Sequence, residues 1–132
     1  MAIATFGPEP TKVTKKAAAD LSALRYRLMK YSAADTVNKA TAASDTPCGI
    51  LTNKPDAAGK EAVVWLIADG GQCLLEVDGT TPIAVGDNLT SDSVGRGIKT
   101  TTDNEVISAR ALEASSAAGD VIAVEVFAAH RY

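Results

Sequence analysis

The chain has 132 residues and a mass of 13.6 kDa, which suits one globular unit and lets roughly two thirds of the unfolded surface be buried without help from a metal or a disulfide. Ala occurs 24 times and Thr 13 times against one Trp, two Phe and three Tyr, a composition for thin sheets and close backbone contacts rather than a deep aromatic-walled ligand pocket. The net charge of −3 is uneven: residues 1–39 carry seven Lys/Arg and three acidic groups, a balance of +4, and the rest carries −7, so an acidic body without Arg–aromatic interleaving argues against nucleic acid as a partner.

Residues 1–20 read as an extended arm. Gly7-Pro8-Glu9-Pro10 opposes helix, and Thr11 to Lys16 shows no sustained apolar period. Twenty extended residues reach roughly 65 Å, several times the roughly 14 Å radius of gyration expected of the domain, so the arm is expected either to flap freely or to latch onto a neighbour. Residues 21–132 form the body. Between Asp20 and Tyr31 the pattern fits either a helix face (Leu21, Leu24, Leu28, Tyr31) or a strand face (Leu24, Tyr26, Leu28) with Arg25 and Arg27 opposite; the strand is preferred, with a bulge where the apolar phase switches at Met29 and Tyr31. Ala62 to Ile67 is a continuous apolar run, Asp69-Gly70-Gly71 a turn, and Cys73, Leu75 and Val77 alternate after it, which predicts a hairpin. Turns at Asp78-Gly79, Val85-Gly86-Asp87 and Gly95-Arg96-Gly97 separate short strands at Asn88–Thr90 and Ile98–Thr100. Strands at 106–112 and 121–127 follow, the last with Ile122, Val124 and Val126 on one face. Short strands punctuated by Gly or Asp at this spacing predict an all-β barrel or sandwich. Matches at an offset of sixty residues suggest an internal duplication: Ala57-Ala58-Gly59 with Ala117-Ala118-Gly119, Val64 with Val124, Lys39 with Lys99, and Thr41 with Thr101.

Catalytic equipment is sparse. His130 is the sole histidine and lies near the C-terminus, where a subunit contact suits it better than catalysis; Tyr132 beside it is assigned to the same contact. Cys48 and Cys73 are 25 residues apart with no CxxC, which leaves zinc no ligand set and casts both as small buried hydrophobes. Asp87, Asp92 and Asp103 lie near turns, where Asp bends backbone through its own side chain. Gly95-Arg96-Gly97 lacks the strand-to-helix context of a phosphate loop. No catalytic residue, cofactor or metal is expected, and no apolar run approaches the roughly 20 residues that span a bilayer. Trp65 lies in the apolar strand, where it serves either the core or, as a candidate anchor, a subunit interface.

Three blocks carry a family resemblance. Asp20-Leu21-Ser22-Ala23-Leu24-Arg25-Tyr26-Arg27, then Gly49-Ile50-Leu51-Thr52-Asn53-Lys54-Pro55, then Gly86-Asp87-Asn88-Leu89-Thr90-Ser91-Asp92 with Gly95-Arg96, resemble in order the recurring blocks of tailed-phage capsid decoration, or cement, proteins. The resemblance implies a compact, β-tulip-like decoration fold, made in the host cytoplasm and bound to the exterior of the virion head, where it staples neighbouring major capsid proteins as a homo-oligomer, commonly a trimer. On this reading the arm touches the shell, with Ile3 and Phe6 as apolar anchors and Lys12, Lys15 and Lys16 facing acidic capsid surface, while Trp65, His130 and Tyr132 serve the subunit interface. In the Gly49–Pro55 block, Asn53 is expected to bond local backbone and Pro55 to stop strand pairing. A phage surface domain recognising host glycan is the alternative.

Overall fold

The structure, a computed structural model, describes residues 8–101 and 105–131. The strands are β1 (Lys12–Ala17), β2 (Leu28–Ala33), β3 (Thr36–Lys39), β4 (Gly49–Leu51), β5 (Glu61–Leu66), β6 (Gly71–Asp78), β7 (Asn88–Ser91), β8 (Gly97–Lys99), β9 (Val106–Ala111) and β10 (Ala118–Arg131), with a 3-10 turn at Ile67–Asp69. The fold is all-β, as expected, and it closes into two five-stranded barrels, one from β1–β5 and one from β6–β10. Closure pairs strand edges that an open sheet would leave exposed to other chains.

The two barrels are one unit used twice. The first runs β1-β3-β2-β4-β5 around the barrel and the second β6-β8-β7-β9-β10, with the parallel pair in the same place (β1 with β3, β6 with β8) and every other pair antiparallel. The registers coincide at the sixty-residue offset: Val13 opposite Val64 becomes Cys73 opposite Val124, Met29 opposite Gly49 becomes Leu89 opposite Ala109, and Ala17 opposite Val37 becomes Val77 opposite Gly97. Loop chemistry repeats too. The Asp45 carboxylate accepts from the Thr41 N–H at 2.8 Å and the Glu105 carboxylate from the Thr101 N–H at 2.7 Å. Asn53 Oδ1 accepts from the Val63 N–H at 3.0 Å, and Glu113 Oε1 from the Ala123 N–H at 2.7 Å. Gly59 and Gly119 hold matching left-handed φ of 85° and 88°, a backbone that favours glycine at both turns. The duplication survives in pairing and turn chemistry although few side chains remain identical.

Three expectations need correction. Lys12 to Lys16 are not a free arm. They are barrel strand, paired residue by residue with Trp65 to Glu61, and the chain is already packed before them, where the Pro8 carbonyl accepts from the Gln72 N–H at 2.9 Å. The alternation was hard to see because only Val13 and Ala17 of the inward positions are apolar; the third, Lys15, buries its stem and sends its ammonium out. The run 61–78 is not a hairpin. β5 belongs to the first barrel and β6 to the second, and the Ile67–Asp69 turn with Gly70 and Gly71 at φ 72° and 126° carries the chain across. A Cβ on Gly71 would lie 2.6 Å from the Pro8 carbonyl oxygen, so the crossing and the entering chain share a space only glycine leaves open. Finally, of residues 20–31 only Leu28 onward is strand; Leu21 to Arg27 turn, with Tyr26 at φ 68°, and the expected bulge falls between Tyr31 and Ala33.

The barrels join through an apolar seam. Met29, Val37, Leu51, Ala62 and Val64 fill the first barrel, while Leu28, Ile50 and Trp65, pointing out of it, merge with the interior of the second around Cys73, Leu75, Val77, Leu89 and Val124. At the same register positions the second barrel carries Asn88, Arg110 and Glu125, with Arg110 and Glu125 in a 2.7 Å ion pair facing solvent. Positions covered by a following barrel are apolar. The corresponding positions of the second barrel are polar.

Candidate interaction surface

The outer side of β1 presents Lys12, Thr14 and Lys16 to solvent beside Val63 and Glu61 of β5. Lys12 is 4.0 Å from Glu9 and lies over the Trp65 ring at 5.7 Å, whereas Lys16 has no ion-pair partner among the described residues. Lys15 takes the opposite side. Its ammonium donates to Asp35 Oδ1 at 3.0 Å and sits 5.5 Å from the centroid of Tyr31, itself 51% exposed, and the Asp35 hydrogen bond raises the lysine above its ordinary value. Of the basic trio predicted as one contact, Lys12 and Lys16 share a face and Lys15 does not. Ile3, Phe6 and Tyr132 lie outside the described residues.

Trp65 is 6% exposed within the single chain, stacked on Tyr26 at 6.2 Å, so it anchors the seam between barrels rather than a contact between subunits. Its neighbour across the seam is an ion pair that sequence reasoning missed: Arg27 Nη2 meets Glu76 Oε2 at 3.1 Å, Nε reaches Oε1 at 3.4 Å, and Nη1 donates to the Val94 carbonyl at 3.3 Å. Backbone reinforces it, with the Glu76 N–H on the Tyr26 carbonyl at 2.8 Å and the Leu28 N–H on the Gly95 carbonyl at 2.7 Å. No local motif signals such a pair, because its partners are 49 residues apart.

At the far end of the second barrel His130 is exposed on β10, its Nδ1 3.2 Å from the Ala128 carbonyl oxygen and its ring 5.5 Å from Phe127. Arg110 covers the same Phe127 at 5.4 Å while pairing with Glu125, so these four side chains make one mixed polar–aromatic face. Two of the three turn carboxylates act as predicted, Asp92 Oδ1 accepting from the Val94 and Arg96 N–H groups and Asp87 Oδ2 from that of Ala84, while Asp103 lies outside the described residues. Asn53 bonds backbone across the loop rather than locally, accepting from Val63 and donating to the Glu61 carbonyl, and so caps the start of β5.

A shallow, open groove of about 320 Å³ is lined by Pro82, Ile83, Ala114, Ser115, Ser116 and Asp120. Ser115 Oγ donates to Asp120 Oδ2 at 2.7 Å, but no base stands between them to draw the serine proton. No group of three His, Cys, Asp or Glu side chains suited to a metal occurs among the described residues, nor any helix there long and apolar enough to cross a membrane. Burial pushes the Cys48 thiol up to about 11 and the Cys73 thiol up to about 12, so neither supplies thiolate near neutrality. A thiol-specific disulfide reagent at about pH 8 should therefore label the folded protein slowly and both cysteines rapidly in denaturant. Fast labelling of native Cys48 would contradict that assignment.

No family model and no curated protein matches the chain. Among solved structures it is similar to the N base of the head fiber gp8.5 of bacteriophage phi29, at 21% identity over 88% of this chain and 92% of that chain, with a TM-score of 0.65. At that identity the likeness is one of fold.

Proposed function

We propose that this chain is a structural protein of a tailed-phage head, seated on the capsid exterior. The observation that carries the reading is the two-barrel fold shared, over nearly all of both chains, with the base of a phage head fiber. The three sequence blocks that resemble decoration proteins point the same way, and here they serve architecture. Gly49 to Leu51 is the buried β4, where a Cβ on Gly49 would collide with the Trp65 carbonyl, and Gly86 to Ser91 leads into and forms β7. The role is mechanical rather than catalytic. A rigid pair of closed barrels bound in many copies adds avidity to a shell under internal pressure without needing one strong contact. The capsid-facing groups are Ile3 and Phe6 in the segment before Pro8, set against the surface of neighbouring major capsid proteins.

Expanded heads lacking this protein provide the test. Purified chain mixed with them should co-sediment at saturable stoichiometry, and a chain lacking residues 1–7 should bind more weakly. Recovery of the full chain wholly in the supernatant would overturn the assignment.

A further inference from the structure

The contact between the barrels has a direction. The first barrel offers Arg27, Leu28, Ile50 and Trp65; the second receives the Arg27 guanidinium with Glu76 and the Val94 carbonyl, the Leu28 N–H with the Gly95 carbonyl, and the three apolar side chains with its own core. Because both barrels follow one register, each possesses both halves of such a contact, and among the described residues each leaves one half unused. The unused offering half is the distal face of the second barrel, where Asp87, Asn88, Arg110 and Glu125 stand in the places of those four residues. The polar part of the unused receiving half is the outer side of β1, where Lys16 stands in the place of Glu76 and Lys12 in that of Gln72. The Arg27–Glu76 pair thus has a counterpart in Asp87 and Lys16. The charges are again opposite, with their signs exchanged.

Two faces drifting apart as mere solvent-exposed caps have no reason to stay complementary. We propose that a second copy of the chain docks head to tail, the outer side of its β1 strand on the distal face of the second barrel, repeating the contact between barrels with polar groups in place of apolar ones. Lys16 is exposed and free of ion-pair partners among the described residues; Asp87, 3.7 Å from Lys99, keeps 21% of its side-chain exposure, and Arg110 and Glu125 keep 46% and 37%, so both faces reach solvent. The contact is heterologous, so it closes into a ring or runs on as a filament according to the rotation between copies. Its polarity makes it weak in dilute solution and effective where many copies are held close together. The inference goes beyond capsid binding and does not depend on it.

Sedimentation velocity of the intact chain without capsids tests it. Association should rise with concentration at about 50 mM salt and weaken at least tenfold, roughly, at about 500 mM, because the contact is electrostatic. Lys16→Glu and Glu125→Lys lie on opposite faces and should each weaken self-association about tenfold. Mixing the two variants should restore a dimer near wild-type affinity, since one copy keeps an intact β1 face and the other an intact distal face. A chain monomeric at low salt up to about 1 mM, an association indifferent to Lys16→Glu, or a mixture that fails to restore it would each overturn the proposal. Failure here would leave head binding untouched, and failure of head binding would leave this contact untouched.

Discussion

Removing residues 1–16 should abolish the cooperative fold, whereas removing residues 1–7 should leave the melting temperature nearly unchanged. The longer deletion takes five of the six β1 residues, and with them the antiparallel ladder from Lys12–Trp65 to Lys16–Glu61 and one of the two residue pairs with β3. It also removes Val13 from the first core and the Pro8 and Thr11 carbonyls that receive the Gln72 and Leu66 N–H groups. At about 1 kcal/mol net for each backbone hydrogen bond, the lost ladder alone rivals the roughly 5–15 kcal/mol that holds a typical domain together. The opened barrel would moreover expose Val64 and Ala62 along a bare β5 edge, which favours aggregation. The shorter deletion stops before every contact described for the chain from Pro8 onward. Circular dichroism and thermal melts of the two truncations decide the matter: a soluble 17–132 chain melting cooperatively near the full-length temperature would show that β1 is dispensable.

Acid should weaken the first barrel by a definite route. The Thr41 N–H bond to the Asp45 carboxylate, helped by Lys30 at 3.0 Å, holds the acid below the ordinary carboxylate value. A depressed folded-state value means that its stabilisation is complete above the unfolded-state value and fades as pH falls through the folded-state one. Lys30 and Asp45 thereby brace the loop whose Ala43 carbonyl receives the Val106 N–H and Thr90 Oγ of the second barrel.

What the sequence revealed and what it hid divide along one physical line. Turns announced themselves, because Gly and Asp act locally: Gly59, Gly86, Gly95 and Gly119 all stand at left-handed φ, and Asp78, Asp87 and Asp92 all bond backbone within a few residues. The strands of the second barrel announced themselves through alternation at Cys73, Leu75 and Val77 and at Ile122, Val124 and Val126. Partnership was hidden. Nothing local distinguishes a β5-to-β6 hairpin from a crossing between barrels, because the choice rests on partners such as Lys12 to Lys16 that lie some fifty residues earlier. The sixty-residue offset carried that information, since aligning β5 with β10 places each at the end of its own unit. The basic patch was half read for a similar reason: Lys15 looks like Lys12 and Lys16 until strand alternation turns it inward.

Trp65→Ala should cost about 3–5 kcal/mol, the range for emptying a large buried aromatic site. Trp65 sits where barrel meets barrel, among Leu28, Ile50 and Ile67 on its own side and the interior of the second barrel on the other. Truncation therefore leaves a cavity at the seam, and its rigid walls are two closed barrels that cannot easily collapse into it. Glu125 occupies the same register position in the second barrel, yet Glu125→Ala should cost under about 1 kcal/mol, because only a solvent-facing ion pair is lost. Trp65→Phe should be much milder than Trp65→Ala. The buried indole Nε1 has no hydrogen-bond partner among the described residues, so replacing it removes an unsatisfied donor along with some volume. Urea unfolding should resolve the three variants: a lowered midpoint for Trp65→Ala, with a reduced slope if the second barrel now unfolds apart from the first, and near-native curves for the other two. Equal losses for Trp65→Ala and Glu125→Ala would mean that the seam does not hold the barrels together, and the two copies of the unit would then have to be stable each by itself.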